Sequence, residues 1–247
     1  MLSDNITLYL TSSHTLGWAG ALHPANGLAE ELCATLPHPL RCLMITSFPD
    51  DQTITDRMAW EIRECFENAE RPFDHFEVLD RRTEDEAERM ISEANFIILC
   101  GGHVPTEYAF FKDIKLRQRI RKFKGTLLTI SAGSMNCAER VYSSPEYDGE
   151  AIDKKYKRHF QGLGLTHINI LPHFQELGKA KVDGMPLVRH IVARDSFEHP
   201  VYCLHDGSYF HITSQRTELR GLAYKMHNGR LRKICNDGER KIISTTK

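Results

Sequence analysis

Three short stretches of the sequence carry residues that can do chemistry together. The first runs Gly125-Thr-Leu-Leu-Thr-Ile-Ser131-Ala132-Gly133 and continues Ser-Met-Asn-Cys137-Ala-Glu139. An apolar strand passes there directly into small residues and then into a segment that can be helical, the strand–turn–helix context of a nucleophile elbow. Small residues suit such a turn because the serine is strained and backbone segments crowd around it. Its Oγ then projects beyond the sheet, beside the start of a helix that favours negative charge. Thr129 departs from the elbow pattern, which has glycine two residues before the serine. Alone, Ser-Ala-Gly also reads as an ordinary strand end followed by a glycine turn.

The second stretch is Phe96-Ile-Ile-Leu-Cys100 followed by Gly101-Gly102. Adjacent glycines let backbone N–H groups approach a ligand closely, as an oxyanion hole requires. The plainer reading is a tight turn between strand and helix. In an open parallel sheet, ligands bind at the C-terminal strand ends, and Gly101 and Ser131 are expected at neighbouring ends. The third stretch is Leu171-Pro172-His173-Phe174, just after a strand-like segment, where a histidine near the serine is a candidate general base. With 13 histidines in the chain, this one means little in isolation.

The elements that must position these residues alternate along the first half. Strands are predicted at Ile6 to Thr11, Arg41 to Ser47, Phe76 to Leu79, Phe96 to Cys100 and Thr126 to Ile130. Between them lie helical patterns. Asn26 is a candidate cap for a helix carrying Leu28, Leu32 and Leu36. Thr53-x-x-Asp56 resembles a capping box before Ile54, Met58, Ile62 and Cys65, and Thr83-x-x-Glu86 precedes Ala87, Met90 and Ile91. A long basic helix is expected after Gly102. Strands alternating with helices of this length imply parallel βαβ units. Farther on, Leu165 to Ile170 alternates, Val201 to Leu204 and Tyr209 to Thr213 flank Asp206-Gly207, and His227-Asn228-Gly229 is a hairpin signal, with another tight turn at Asn236-Asp237-Gly238. The C-terminal region therefore reads as short antiparallel strands added to the same sheet. No repeat or linker interrupts residues 1–247, so a single domain is expected.

The ordered set resembles the dipeptidase E (aspartyl dipeptidase, or peptidase E) family of serine peptidases, of which cyanophycinase is a relative. It comprises Gly-Gly after a buried strand, a strand into Ser-Ala-Gly, a Pro-His-Phe histidine, and a strand ending in Leu204-His205-Asp206-Gly207. The resemblance implies a fold like that of class I glutamine amidotransferases: a three-layer α/β sandwich with a mostly parallel central sheet, helices on both faces and antiparallel C-terminal strands. It also implies roles. Ser131 matches the nucleophile, His173 the base, and Gly101 and Gly102 the oxyanion-hole segment, with the Ala132 amide as second donor. Asp206 and Glu146 both match acidic positions of the family. Asp206 is preferred as the third member, because Glu146 lies in the loop-like Ser143-Ser-Pro-Glu-Tyr-Asp-Gly149. The family's aspartyl specificity goes with an Arg-rich segment, of which Gln175 to Asp195 holds no clear copy. Arg189 is a candidate partner for a substrate carboxylate, and equally a solvated helix residue.

The implied reaction is acyl transfer to a small peptide or amide, with no metal or cofactor. The competing expectation is a non-catalytic member of the same fold that binds a ligand or partner. His205, next to Asp206, is a candidate for the mouth of the site. His199, Cys203, His205 and His211 lack the spacing of a metal site. Cys137 follows the elbow rather than occupying it, which disfavours thiolate chemistry.

Composition bounds the partners. The chain has 247 residues, 32 Lys plus Arg against 33 Asp plus Glu, and a net charge of −1. With 41% hydrophobic and 26% charged residues it is an ordinary globular chain. Near-neutral charge argues against nucleic acid as a partner, and the basic run Lys115 to Lys124 reads as the solvated face of a helix with Leu116 and Ile120 inward. No stretch approaches the ~18 apolar residues of a membrane span, and the start lacks a secretory pattern. Seven scattered cysteines without a CxxC pair fit reduced thiols in a cytoplasm. Quaternary structure is left open, with a homodimer as one option.

Overall fold

The computed structural model describes residues 2–15 and 20–244. The predicted alternation is present. Strands β1 (Ile6–Thr11), β2 (Arg41–Ile45), β3 (His75–Leu79), β4 (Phe96–Leu99) and β5 (Gly125–Ile130) alternate with α1 (Leu28–Thr35), α2 (Gln52–Asn68), α3 (Ala87–Glu93) and α4 (Val104–Asp113). The remainder comprises α5 (Leu116–Arg119), α6 (Ala132–Asn136), β6 (Arg140–Tyr142), β7 (His159–Gln161), β8 (Asn169–Leu171), α7 (Phe174–Leu177), β9 (Lys181–Val182) and β10 (Met185–Pro186). After these come α8 (Ala193–Asp195), β11 (Val201–Leu204), β12 (Tyr209–Ile212), β13 (Thr217–Arg220), β14 (Ala223–His227), β15 (Arg230–Cys235) and β16 (Arg240–Ile242).

The central sheet has eight strands in the order β16-β13-β12-β1-β5-β4-β2-β3. From β1 to β3 neighbouring strands pair in parallel, while β12, β13 and β16 extend it antiparallel. Both faces are covered. Leu8, Leu10, Leu43, Ile45, Ile97, Leu99 and Leu127 point into one core with α3, α4 and α6. Their alternating neighbours Tyr9, Cys42, Met44, Ile98 and Leu128 point into another with α1 and α2. Continuous apolar runs such as Phe96-Ile-Ile-Leu99 are what a doubly covered strand requires. The architecture is the expected three-layer α/β sandwich. No helix among the described residues is long and apolar enough to cross a membrane.

Several expectations are corrected. The C-terminal strands do not all join the central sheet: β8, β11, β14 and β15 form a second, four-stranded sheet. The Asn228-Gly229 turn does close a hairpin, with His227 paired to Arg230 and both turn residues at positive φ. The predicted strand at Leu165 to Ile170 starts only at Asn169, because the amides of Leu165 and Thr166 donate to Cys137 O instead. The basic helix is broken at Lys115, where φ is 51°, although Leu116 and Ile120 are buried as expected. Asp51, not Thr53, caps α2, accepting from the Ile54 amide at 3.0 Å. Thr83 turns its hydroxyl back onto Val78 O rather than capping α3. Asn26 does not cap α1. Its side chain donates to Gly207 O and accepts from the Gly238 amide, both at 2.8 Å, tying two distant turns together.

Candidate active site

Parallel pairing of β4 with β5 places Gly101-Gly102 and Ser131 side by side at the C-terminal ends of two adjacent interior strands. Ser131 has φ 48° and ψ −109°, a region that side-chain-bearing residues seldom occupy. Its amide donates to Thr11 O at 3.0 Å, and its carbonyl accepts the Met135 amide, which closes the first turn of α6. A Cβ on Gly133 would lie 2.6 Å from Leu99 O, so only glycine lets α6 rest this close to β4. Thr129, the departure from the elbow pattern, is fully buried beneath the turn. Its hydroxyl lies 2.8 Å from both Tyr9 O and Ser134 Oγ.

Gly102 has no room for a side chain either, and Gly101 has little. A Cβ on Gly101 would come 3.1 Å from that of Ser131, and one on Gly102 would come 2.6 Å from Ser47 Oγ. Ser47 in turn donates to Gly101 O. Among the described residues, no group accepts from the amides of Gly101, Gly102 or Ala132, which leaves them free to meet an anion beside Ser131.

His173 follows β8 in a left-handed conformation, with φ 51° and ψ 38°. Its Nε2 lies 3.1 Å from Ser131 Oγ and its Nδ1 lies 2.8 Å from Asp206 Oδ1. Asp206 stands in the turn after β11. Two further residues hold this pair, and the sequence reading did not single them out. Ser12, at the end of β1, accepts the His173 amide at 2.7 Å and donates to Asp206 Oδ1 at 2.6 Å. Gln175 donates to Asp206 Oδ2 at 2.5 Å and accepts the Asp206 amide at 3.2 Å. Burial alone would raise the Asp206 pKa, but hydrogen bonds from His173, Ser12 and Gln175 outweigh it and hold the carboxyl below the ordinary aspartate value. Ser12 lies in the Thr-Ser-Ser run that ends β1; a polar run at a central strand's C-terminal end was the available signal.

Glu146 does not touch His173 by a hydrogen bond; Asp206 occupies Nδ1. Glu146 lies at the wall of a cleft of about 800 Å³ that also contains Ser131, Gly101, Gly102 and His173. Glu146 is exposed at the surface, yet the protein packed around its carboxyl pushes it up to about 7; Glu150 adds to the rise and His173 opposes it. The loop that carries it is pinned. Glu150 Oε2 accepts the amides of Glu146 and Tyr147, and Glu150 Oε1 meets His103 Nε2 at 2.9 Å.

Two other expected site residues lie elsewhere. Arg189 is exposed on the helical turn Leu187–Val192 and does not line the cleft. It is the solvated residue of the alternative reading. His205 packs its ring against Phe174 and Tyr224 instead of facing the mouth. Its neighbour Asp206 turns toward His173, and successive residues at a strand end point opposite ways. Among the described residues no group of three or more His, Cys, Asp or Glu side chains could hold a metal.

No curated protein matches the sequence. Among solved structures, a peptidase from an acI-B1 Actinobacterium superposes with a TM-score of 0.65 at 16% identity, covering 96% of both chains. A peptidase E protein from Listeria monocytogenes EGD-e superposes with a TM-score of 0.55 at 14% identity, covering 92% of this chain and 98% of that one. These likenesses concern the fold. The sequence model of peptidase family S51 matches residues 50–220, a span that holds Gly101, Ser131, His173 and Asp206, and on that match the chain belongs to peptidase family S51 and is a peptidase.

Proposed function

We propose that the chain is a serine-type peptidase that cleaves small peptides or amides through an acyl-enzyme on Ser131. The observation that carries this reading is the unbroken hydrogen-bonded series from Ser131 Oγ through His173 to Asp206 at the edge of the cleft. In the first step Ser131 Oγ attacks the scissile carbonyl carbon while His173 Nε2 takes its proton. Asp206 keeps the Nδ1 proton in place and stabilises the imidazolium. The carbonyl oxygen gathers negative charge where the amides of Gly101, Gly102 and Ala132 can donate to it. His173 then gives its proton to the leaving amine as the C–N bond breaks. Water, deprotonated by the same histidine, hydrolyses the ester and restores the serine. The site-bearing turns come from residues 1–247 acting as one domain in this reading, because β1 contributes Ser12 and β11 contributes Asp206.

The test is hydrolysis of short peptides and aminoacyl anilides, with Ser131→Ala as control. Turnover should fall by about 10⁴-fold or more in Ser131→Ala, and by roughly 10³- to 10⁴-fold in Asp206→Asn, which spoils the imidazole tautomer. A fluorophosphonate should label Ser131 in the parent protein alone. Activity that survives Ser131→Ala would overturn the assignment.

A further inference from the structure

We propose that the cleft selects substrates carrying a positive charge on the acyl side of the scissile amide, and turns aspartyl substrates away. This rests on the hydrolase reading of Ser131 and concerns what the same cleft admits.

The lining decides the sign. Among the described residues, the charged side chains other than histidine that line the cleft are Glu61, Glu64 and Glu146, with no Lys or Arg. Arg57 approaches Glu61 from one helical turn away, at 3.7 Å, and offsets part of that one charge. Among the described residues nothing donates a hydrogen bond to the carboxylates of Glu64 or Glu146. The histidines do not reverse the balance. Burial drives His14 down to about 4, so it is neutral near pH 7. His173 is engaged with Ser131 and Asp206.

A second, independent feature points to a cation. Trp60 and Tyr147 line the same cleft with 61% and 58% of their surfaces exposed. Large aromatic faces left open beside carboxylates attract ammonium and guanidinium groups through the ring quadrupole. Glu146 is the member placed to act. Its backbone is fixed by Glu150, which His103 holds immediately after Gly102, so its carboxylate sits on the wall that Ser131 also faces. An aspartyl side chain would bring a further carboxylate into this space and find no Arg or Lys among the described residues that line it.

Matched lysyl, norleucyl and aspartyl p-nitroanilides isolate the charge, since norleucine keeps the length of lysine without its ammonium. The lysyl substrate should exceed the norleucyl one in kcat/KM by about tenfold at low salt, with the aspartyl one lowest. The ratio should shrink as salt rises to about 0.5 M. In Glu146→Gln it should fall to within about twofold. It should also grow from about pH 6 to about pH 8 as Glu146 ionises among Glu150, His173, Glu107 and Tyr156. Calorimetric titration of Ser131→Ala with lysinamide, norleucinamide and aspartic acid α-amide reads binding without turnover. Tighter lysinamide binding with no turnover of any anilide by the parent protein would sink the hydrolase reading and keep the charge preference. Ser131-dependent turnover in which lysyl and norleucyl substrates are equal, or the aspartyl one leads, would overturn the preference alone. Equal binding of the three amides together with no turnover would overturn both.

Discussion

Ser131 holds a backbone conformation that an L-residue keeps only under constraint, and the constraint is visible. Its amide is tied to Thr11 O, its carbonyl to Met135, and Gly133 is wedged against Leu99 O. The conformation, φ 48° and ψ −109°, mirrors an extended one that glycine adopts freely. Ser131→Ala keeps the strain and Ser131→Gly releases it. The glycine variant should therefore be the more stable of the two by about 1 kcal/mol, seen as a melting temperature roughly 2–4 °C higher. Coincident melts would show that the turn is not strained. At this scale the sequence was informative where residue type and neighbours spoke together. Ser131, Gly101-Gly102, His173 and Asp206 were each visible beside a strand end. Ser12, Gln175 and His103 were not, because their roles come from partners far along the chain, and the two readings of Arg189 stood level because an arginine's reach cannot be read without its direction.

Helices α4 and α6 flank the two turns that meet at the cleft, and a buried pair joins them. Asn136 donates to Glu107 Oε2 at 2.8 Å, with both side chains at 1% exposure or less. Among the described residues, Glu107 Oε1 and Asn136 Oδ1 find no partner. Burial pushes the Glu107 carboxyl well above its usual value, against the Asn136 hydrogen bond and with help from Glu146. A proton on Glu107 supplies the donor that these oxygens lack. The sign follows: folding holds that proton more tightly than the unfolded chain does. Glu107 thus contributes fully below the unfolded value and loses its contribution as pH rises toward the folded one. Glu107→Gln keeps the shape and carries its own N–H donors. The parent protein should lose melting temperature relative to this variant between about pH 5 and about pH 8, and parallel curves would refute the neutral acid. Elements were legible where apolar residues ran continuously, as in β4 and β5. They were misread where polar tertiary contacts took over: Asn26 is drawn to Gly207 and Gly238, and Lys115 breaks a pattern whose buried residues, Leu116 and Ile120, nonetheless keep helical spacing.

For the whole molecule, the family match and the folding unit differ. Residues 50–220 match the family, yet β1 and β2 lie outside that span. β1 separates β12 from β5, and β2 separates β4 from β3. Removing them opens two gaps in the sheet and takes Ser12 from Asp206. A fragment of residues 50–220 should show no cooperative thermal transition and no fluorophosphonate labelling, whereas the full chain shows both; a folded, labelled fragment would refute this account of the sheet. The mostly parallel half was legible because βαβ alternation has few solutions. The division of the later strands between two sheets was not, since short antiparallel strands carry the same alternation whichever sheet they join.

The position of β1 has a consequence for synthesis on the ribosome. It emerges long before β12, its antiparallel partner, and before the turn that carries Asp206. Ser12 can bridge His173 and Asp206 only after all three segments have left the exit tunnel. On the proposed mechanism, a growing chain therefore exposes Ser131 before its general base is assembled, and catalysis by Ser131 waits until the segment carrying Asp206 has emerged.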